Sequence, residues 1–380
     1  MGYQDETKRS ALEQFNSAFE EITTSNNQIL NHLLHDAFAV ENAAEQGGQK
    51  PESEKDDFEA ADLILDPNPD ESLIQNTLAK YGFESTKSAH QNLLSLAREN
   101  SIFLSSRRCR HFLAAIARPL LQEIGSTPNA DATLTSLAGV CNSIGAKGVL
   151  WELFSSIPAT LQLFVRLCAS SDYLCSILKS NPGMIDELVD SLILNKLPSI
   201  EWLREHLKEL IGGADDLDPI IHSFKNVFHL RVGIRDILGR DAIRETHRAL
   251  SDIAQVTLET VVRHEFAKSA AKYAKDFDAI DNLDQHNSFV ILALGKLGGR
   301  EPNYHSDMDV VFLYAPSETE WLTTSDQHFY SDLAGRVTKA VTFQGKYGRL
   351  YELDSRLRPT GKSGALALSL IHISEPTRPY

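Results

Sequence analysis

Apolar residues recur at three- and four-residue spacing along most of the chain before residue 280. The spacing is present in residues 11–40 and again in nearly every segment from Glu71 to about Phe277. Because an α-helix has 3.6 residues per turn, this spacing puts the apolar side chains on one helix face. Breaks are expected at Pro128-Asn129, at Asn181-Pro182-Gly183 and at Gly212-Gly213. The pattern predicts a helical segment at 1–40 and a helical domain at 71–280.

The pattern changes at Asn287, where short apolar runs replace the helical spacing. "SFVILAL", "MDVVFLY" and "RLYELD" are each typical of a β-strand. Between the last two runs, Phe329, Leu333, Val337 and Val341 recur every four residues, which predicts an amphipathic crossover helix. The order strand, turn, strand, helix, strand indicates an α/β unit over 281–368.

Charge is distributed unevenly along the 380 residues. The net charge is −15, and residues 1–72 hold 17 Asp and Glu against 4 Lys and Arg, a balance of −13 that leaves −2 for the remainder. We interpret 41–70 as an acidic, solvated linker. Nucleic acid calls for a basic footprint, and neither part of the chain supplies one. We therefore expect no nucleic-acid partner.

Neither a membrane span nor a signal peptide is indicated. No run of 18 apolar residues occurs, and the amino terminus "MGYQDETKRS" is polar. We therefore expect no membrane association and a cytoplasmic location. Cys109, Cys141, Cys168 and Cys175 show no C-x-x-C spacing, and we interpret them as reduced thiols without a chemical role.

Two aspartates stand at the beginning of the second apolar run. Alternate residues of a strand point the same way, so Asp307 and Asp309 share a face about 7 Å apart. Two anions this close to a core are unfavourable without cations, and hard oxygen ligands favour Mg²⁺ or Mn²⁺. Alone, such a pair is more often a solvated strand end.

A glycine-rich turn, "GKLGG", precedes the aspartates. Gly295, Gly298 and Gly299 allow close backbone approach to an anion, and we expect their N–H groups to face phosphate with Lys296 nearby. Alone, a glycine-rich turn is more often just a tight turn.

The third block is "YELDSRLRPTGKSG", residues 351–364. Asp354 ends a strand, and Arg356 and Arg358 follow it. Alone, this is a surface strand end with solvated arginines. Beside the paired aspartates, Asp354 becomes a third carboxylate of a two-metal site and the arginines counter phosphate charge. This combination favours nucleotidyl transfer, with the acceptor left open.

At this point the blocks "ALGKLGGREPNYHSDMDVVFLY" and "LYELDSRLRPTGKSG" closely resemble the signature of the glutamine synthetase adenylyltransferase family. Its members combine an adenylyl-transferring and an adenylyl-removing half. The resemblance can be traced from about Glu71 to Leu368, and it implies a mainly α chain with an α/β nucleotidyltransferase-type core. It also implies that Asp307, Asp309 and Asp354 are the catalytic, metal-binding carboxylates. The nucleotide-binding residues that it implies are Gly295, Lys296, Gly298, Gly299, Arg300, Ser306, Arg356 and Arg358.

By the same resemblance, the function is transfer of AMP from ATP to a tyrosine of glutamine synthetase, which regulates nitrogen assimilation. Glutamine synthetase and a PII-type signal protein are the implied partners. The signature follows the helical region, and "RLRPTG" is closer to the Ser-containing version of the adding half, so we assign that half. The alternatives are the phosphorolytic, adenylyl-removing half and a non-catalytic piece that binds glutamine synthetase or a PII-type protein.

The carboxyl-terminal stretch "SLIHISEPTRPY" fits neither a helix nor a strand pattern. As a hypothesis, residues 369–380 are a sequencing-adapter artefact that closes a partial gene. The family continues from here into a helical domain that helps to build the site. Whether this chain is active by itself is therefore left open.

Overall fold

The computed structural model describes residues 52–101, 104–187, 196–214, 216–275, 288–317, 321–358, 361 and 364–370. The helix predicted over 11–40 lies outside this part of the chain, as do residues 371–380 of the predicted non-native tail. The described part is mainly helical and carries a small mixed sheet near its carboxyl end.

Helices occupy the chain almost continuously up to Tyr273. In chain order they are α1 (Glu52–Leu65), α2 (Glu71–Lys80), α3 (Thr86–Leu96), α4 (Ser106–Ala115), α5 (Ala117–Gly125), α6 (Ala130–Cys141), α7 (Lys147–Ser156), α8 (Pro158–Ser170), α9 (Asp172–Ser180), a 3₁₀ turn (Pro182–Ile185), α10 (Ile200–Ile211), α11 (Asp218–Ile237) and α12 (Ile243–Tyr273). Among these, no single helix has both the length and the apolar character to cross a bilayer, although α7 and α8 together, bent by 118°, meet both criteria.

The predicted helix breaks are confirmed, and their causes are local. The Asn129 side chain accepts a hydrogen bond from the backbone N–H of Ala132 and so begins α6. The 3₁₀ turn from Pro182 to Ile185 follows α9, and α10 ends at Ile211, immediately before Gly212. The four cysteines are free thiols and are buried.

The acidic linker predicted over 41–70 is wrong for residues 52–65, which form α1. Leu63 and Ile64 are 0% and 1% exposed in the core of the helical region, and Glu59 forms an ion pair with Lys80 of α2 at 2.6 Å. The linker was predicted because acidic residues are frequent in this segment. The apolar end of this segment, "ADLIL", is enough to bind the helix to the core.

The 31-residue helix α12 connects the two parts of the molecule. At 1.5 Å per residue it is about 46 Å long. Leu250, Ile253 and Val256 pack in a cluster with α10 and α11, whereas Val262 and Phe266 belong to the core beneath the sheet. One continuous helix therefore connects the helical region to the unit that carries the predicted chemistry.

The sheet has four strands, and the second lies between its partners. The strands are β1 (Phe289–Ala293), β2 (Met308–Tyr314), β3 (Leu353–Asp354) and β4 (Ala367–Ser369), with a short helix α13 (Gly295–Gly298) after β1 and a long helix α14 (Asp326–Thr342) after β2. Strand β2 pairs antiparallel with β1 and parallel with β3 and β4. The third predicted strand is reduced to two residues, and β4 was not predicted.

The predicted crossover helix is confirmed as α14. Its residues Phe329, Leu333, Val337 and Val341 are all 0% exposed and form the core with β1 and β2. The packing of this apolar face holds the sheet against α12, so the edge where β2 and β3 begin has a rigid support.

Candidate active site

The glycine-rich turn packs directly against the aspartate strand. Gly295 has φ +53°, a conformation that favours glycine, and a Cβ atom at this position would lie 2.3 Å from Oδ2 of Asp309. Any larger residue has to displace that carboxylate. The structure thus brings together two motifs that are 14 positions apart in the sequence.

The other glycines of the turn do not act as predicted. The N–H of Gly298 donates to the carbonyl of Leu294 at 2.9 Å, and the N–H of Gly299 donates to that of Gly295 at 3.0 Å. These N–H groups close the turn, so the expectation that they face phosphate is corrected. Lys296 is exposed beside them.

Arg300 points towards the helical region. Its backbone has φ +55°, and its guanidinium forms an ion pair with Asp252 of α12. This contact was not predicted, because the partners are 48 positions apart in the sequence. In this arrangement the guanidinium holds the turn against α12. To bind a nucleotide as predicted, Arg300 would have to keep or break its ion pair with Asp252.

The three predicted carboxylates lie at one edge of the sheet. Asp309 of β2 and Asp354 of β3 are register partners on adjacent parallel strands. Asp307 comes just before β2 and is exposed, whereas Asp309 and Asp354 are half-buried. Strand pairing therefore explains why residues far apart in the sequence converge.

Arg356 pairs with Asp354 and also lies in the field of the other two carboxylates. Its Nε donates to Oδ1 and Oδ2 of Asp354 at 2.9 and 2.8 Å. The pKa of Arg356 is raised, first by this hydrogen bonding and the charge of Asp354, and further by the charges of Asp307 and Asp309. One guanidinium thus lies in the field of all three anions.

An open cavity of about 340 Å³ adjoins these residues. Its lining residues are Asp307, Thr342, Arg349, Glu352, Leu353, Asp354, Ser355 and Arg356. Thr342 ends α14, and Arg349 forms an ion pair with Glu352. Neither Thr342 nor Arg349 was predicted to line the site. The only feature of the sequence that could have indicated Arg349 is its position just before "LYELD".

The remaining two predicted residues have local partners. The Ser306 hydroxyl donates to Oδ1 of Asn303 at 2.9 Å, which closes the turn before Asp307. Nη1 of Arg358 donates to the carbonyl of Ser355 at 2.7 Å. Both residues shape the backbone on either side of the carboxylates.

The carboxylates fit a hard divalent cation in donor type but not in placement. Across the residues that the structure describes, no group of three or more His, Cys, Asp or Glu side chains is placed to hold a metal ion. The cause is visible at Asp354, whose two oxygens face Arg356. A metal at this edge therefore has to compete with Arg356 for the third carboxylate.

Comparison with known proteins shows the family to which this chain is related. The family profile described as Glutamate-ammonia ligase adenylyltransferase matches residues 161–375. The chain is 30% identical over 306 residues to a bifunctional glutamine synthetase adenylyltransferase/adenylyl-removing enzyme of Thioalkalivibrio sulfidiphilus. The aligned region covers 78% of this chain and 32% of the relative. It is 28% identical over 310 residues to a protein of the same description from Chromobacterium violaceum, covering 79% of this chain and 32% of the relative.

These relatives are adenylyltransferase enzymes, and the matched region includes the acidic sheet edge and the glycine-rich turn. The chain belongs to the glutamate-ammonia ligase adenylyltransferase family. It spans about a third of the length of the curated relatives it matches.

Proposed function

We propose that this chain carries a nucleotidyltransferase core that transfers AMP from ATP to a tyrosine hydroxyl of glutamine synthetase. The observation that carries the proposal is the register pairing of Asp309 with Asp354 on adjacent strands, two residues after Asp307, beside a turn whose first glycine leaves no room for a Cβ atom next to Asp309. Family membership supports the substrate class.

In the proposed reaction the tyrosine oxygen attacks the α-phosphorus of ATP, and the bond between the α-phosphorus and the bridging oxygen breaks. Pyrophosphate leaves with the electron pair of that bond, and the hydroxyl proton passes to solvent. Asp307 and Asp309, joined by Asp354 once Arg356 releases it, are the residues that would hold Mg²⁺ or Mn²⁺, which would supply positive charge for the departing pyrophosphate. Arg356 contributes charge that can move from Asp354 to phosphate.

The experiment is the intact mass of glutamine synthetase after incubation with this chain, ATP and Mg²⁺. We expect a gain of one AMP per modified subunit and no gain with Asp307→Asn, because that change removes one anion and keeps the shape of the side chain. A gain of equal size with the variant contradicts the assignment of Asp307.

The adenylyl-removing alternative predicts a different dependence. Adenylylated glutamine synthetase incubated with this chain and inorganic phosphate then loses AMP as ADP. We assign the adding half because of the "RLRPTG" block, so we expect no loss of AMP under these conditions. Phosphate-dependent loss of AMP without any gain from ATP reverses the assignment.

A further inference from the structure

Buried polar side chains connect the helical region to the segments that carry the carboxylates. His229 of α11 is 2% exposed. Its Nδ1 lies 2.8 Å from the hydroxyl of Tyr173 in α9, and its Nε2 lies 3.3 Å from the hydroxyl of Tyr351, which comes just before β3. One imidazole therefore bridges a helix and the strand segment of Asp354.

The imidazole is suited to hold two hydroxyl groups at once. Burial lowers the pKa of His229 well below its usual value, and the charge of Lys225 lowers it further. A neutral imidazole has one donor and one acceptor nitrogen, so it donates to one tyrosine and accepts from the other. Both tyrosine hydroxyls are therefore needed for both imidazole nitrogens to be hydrogen-bonded.

Tyr173 extends the bridge to the loop before Asp307. Its ring centroid lies 5.8 Å from that of Tyr304 and 5.0 Å from that of His305. Tyr304 also contacts His229, with centroids 5.9 Å apart. Asp307 follows His305 after a single residue, so the ring contacts fix the loop that ends at the first carboxylate.

Lys225 packs the same rings from one side. It lies one helical turn before His229 on α11, and its Nζ is 5.0 Å from the ring centroid of Tyr351 and 5.8 Å from that of Tyr173. This cation–π packing restrains the two tyrosine rings that His229 joins.

The bridge matters because β3 by itself is a weak support. It has two residues. Apart from its pairing with β2, the segment is held by the N–H of Tyr351, which donates to the carbonyl of Val341 at 3.2 Å, and by the packing of Leu350 and Leu353 against the core under the sheet. Two residues of strand supply few ladder hydrogen bonds, whereas site geometry depends on small displacements.

We infer that His229 is a positioning residue, which through Tyr173 and Tyr351 fixes the two segments that carry Asp307 and Asp354 relative to each other. The inference rests on the proposed function, since it concerns the same carboxylates. It assigns to the helical region a direct part in building the site.

The test is Mn²⁺ binding to the full chain, with Mn²⁺ alone as the probe and free Mn²⁺ measured by electron paramagnetic resonance. Tyr351→Phe removes only a hydroxyl from the bridge. The matched control is Tyr330→Phe in α14, which removes a buried hydroxyl that bonds Ser288 at 2.8 Å and lies at the opposite end of β2. Melting temperatures are recorded for both.

We expect Tyr351→Phe to weaken Mn²⁺ binding by about 3- to 10-fold and Tyr330→Phe to leave it unchanged, although both lower the melting temperature. His229→Gln combined with Tyr351→Phe then adds little to the loss from His229→Gln alone. Wild-type affinity in Tyr351→Phe, or equal weakening by both tyrosine variants, overturns the inference and leaves the proposed function standing. Absence of Mn²⁺ binding by the wild-type chain overturns both.

Discussion

Two buried lysines of the helical region, one in its interior and one at its boundary with the site, have very different surroundings. Lys147 is 1% exposed and Lys225 is 8% exposed. Nζ of Lys147 donates to the carbonyls of Ser95 and Arg98 at 3.0 and 2.8 Å and to Oδ1 of Asn142 at 2.6 Å. It caps the carbonyl end of α3.

Lys225 has aromatic rings where Lys147 has oxygens. Within the described part of the chain, no hydrogen bond or ion pair is found for its ammonium group, and the rings of Tyr173 and Tyr351 are its contacts. Burial lowers the pKa of Lys225 to about 8. Burial lowers the pKa of Lys147 as well, so both ammonium groups have a desolvation cost. The difference lies in the partners: Lys147 has three oxygen acceptors, whereas Lys225 has, among the described residues, only aromatic rings.

The largest expected effect is the loss of stability when Lys147, whose ammonium group is fully hydrogen-bonded, is replaced. Lys147→Met leaves three buried oxygens without their donor, so we expect the free energy of unfolding to fall by about 3 kcal/mol. Urea denaturation measures it. Lys225→Met is the matched control, and it should not destabilise. Equal destabilisation by both changes would remove the distinction between the two lysines.

The next effect concerns the contact between the turn and the aspartate strand. Gly295→Ala forces a left-handed residue and a Cβ atom into the carboxylate of Asp309, and we expect a cost of about 2 kcal/mol and at least ~10-fold weaker Mn²⁺ binding. Gly299→Ala is the control, because its Cβ meets only the flexible end of Glu301 at 3.3 Å. Equal Mn²⁺ affinity in both variants would show that the contact is not part of the site.

The smallest effect is a pH dependence at Lys225. Its folded pKa of about 8 lies below the usual value of 10.5, so between these pH values the unfolded chain binds more protons and stability rises with pH. Relative to Lys225→Met, the wild type is therefore least stable below pH 8 and recovers by about 1–3 kcal/mol towards pH 10.5. Denaturation of both proteins at pH 7 and pH 10 measures this.

The comparison between variants is needed because other groups also titrate in this range. Burial raises the pKa of Cys109 to about 11, which acts in the opposite direction on stability in both proteins. A difference between wild type and Lys225→Met that stays constant with pH would show that Lys225 is not buried as a charge.

The elements that could be predicted from the sequence were those in which apolar residues recur at a constant spacing over several turns. The helices between Glu71 and Tyr273 and the helix α14 follow from apolar spacing over several turns. Strands β3 and β4, with two and three residues, are too short to show a period. Helix α1 was missed because its charge outweighed its apolar end.

In the candidate site, too, contiguous motifs could be predicted and long-range contacts could not. The aspartates and the glycine turn were visible because each motif is contiguous in the sequence. The ion pair of Arg300 with Asp252 and the bridge at His229 join residues 48 and 122 positions apart. Such pairings depend on the packing of α11 and α12, which a single sequence does not specify.

The most direct test of a Mg-ATP site at this sheet edge is calorimetric titration of ATP into the chain with and without Mg²⁺, using wild type and Asp309→Asn. We expect ATP binding that requires Mg²⁺ and is lost in Asp309→Asn, with the melting temperature of the free variant unchanged. Binding of equal affinity without Mg²⁺, or binding that Asp309→Asn leaves intact, would contradict a carboxylate site for Mg-ATP at this sheet edge.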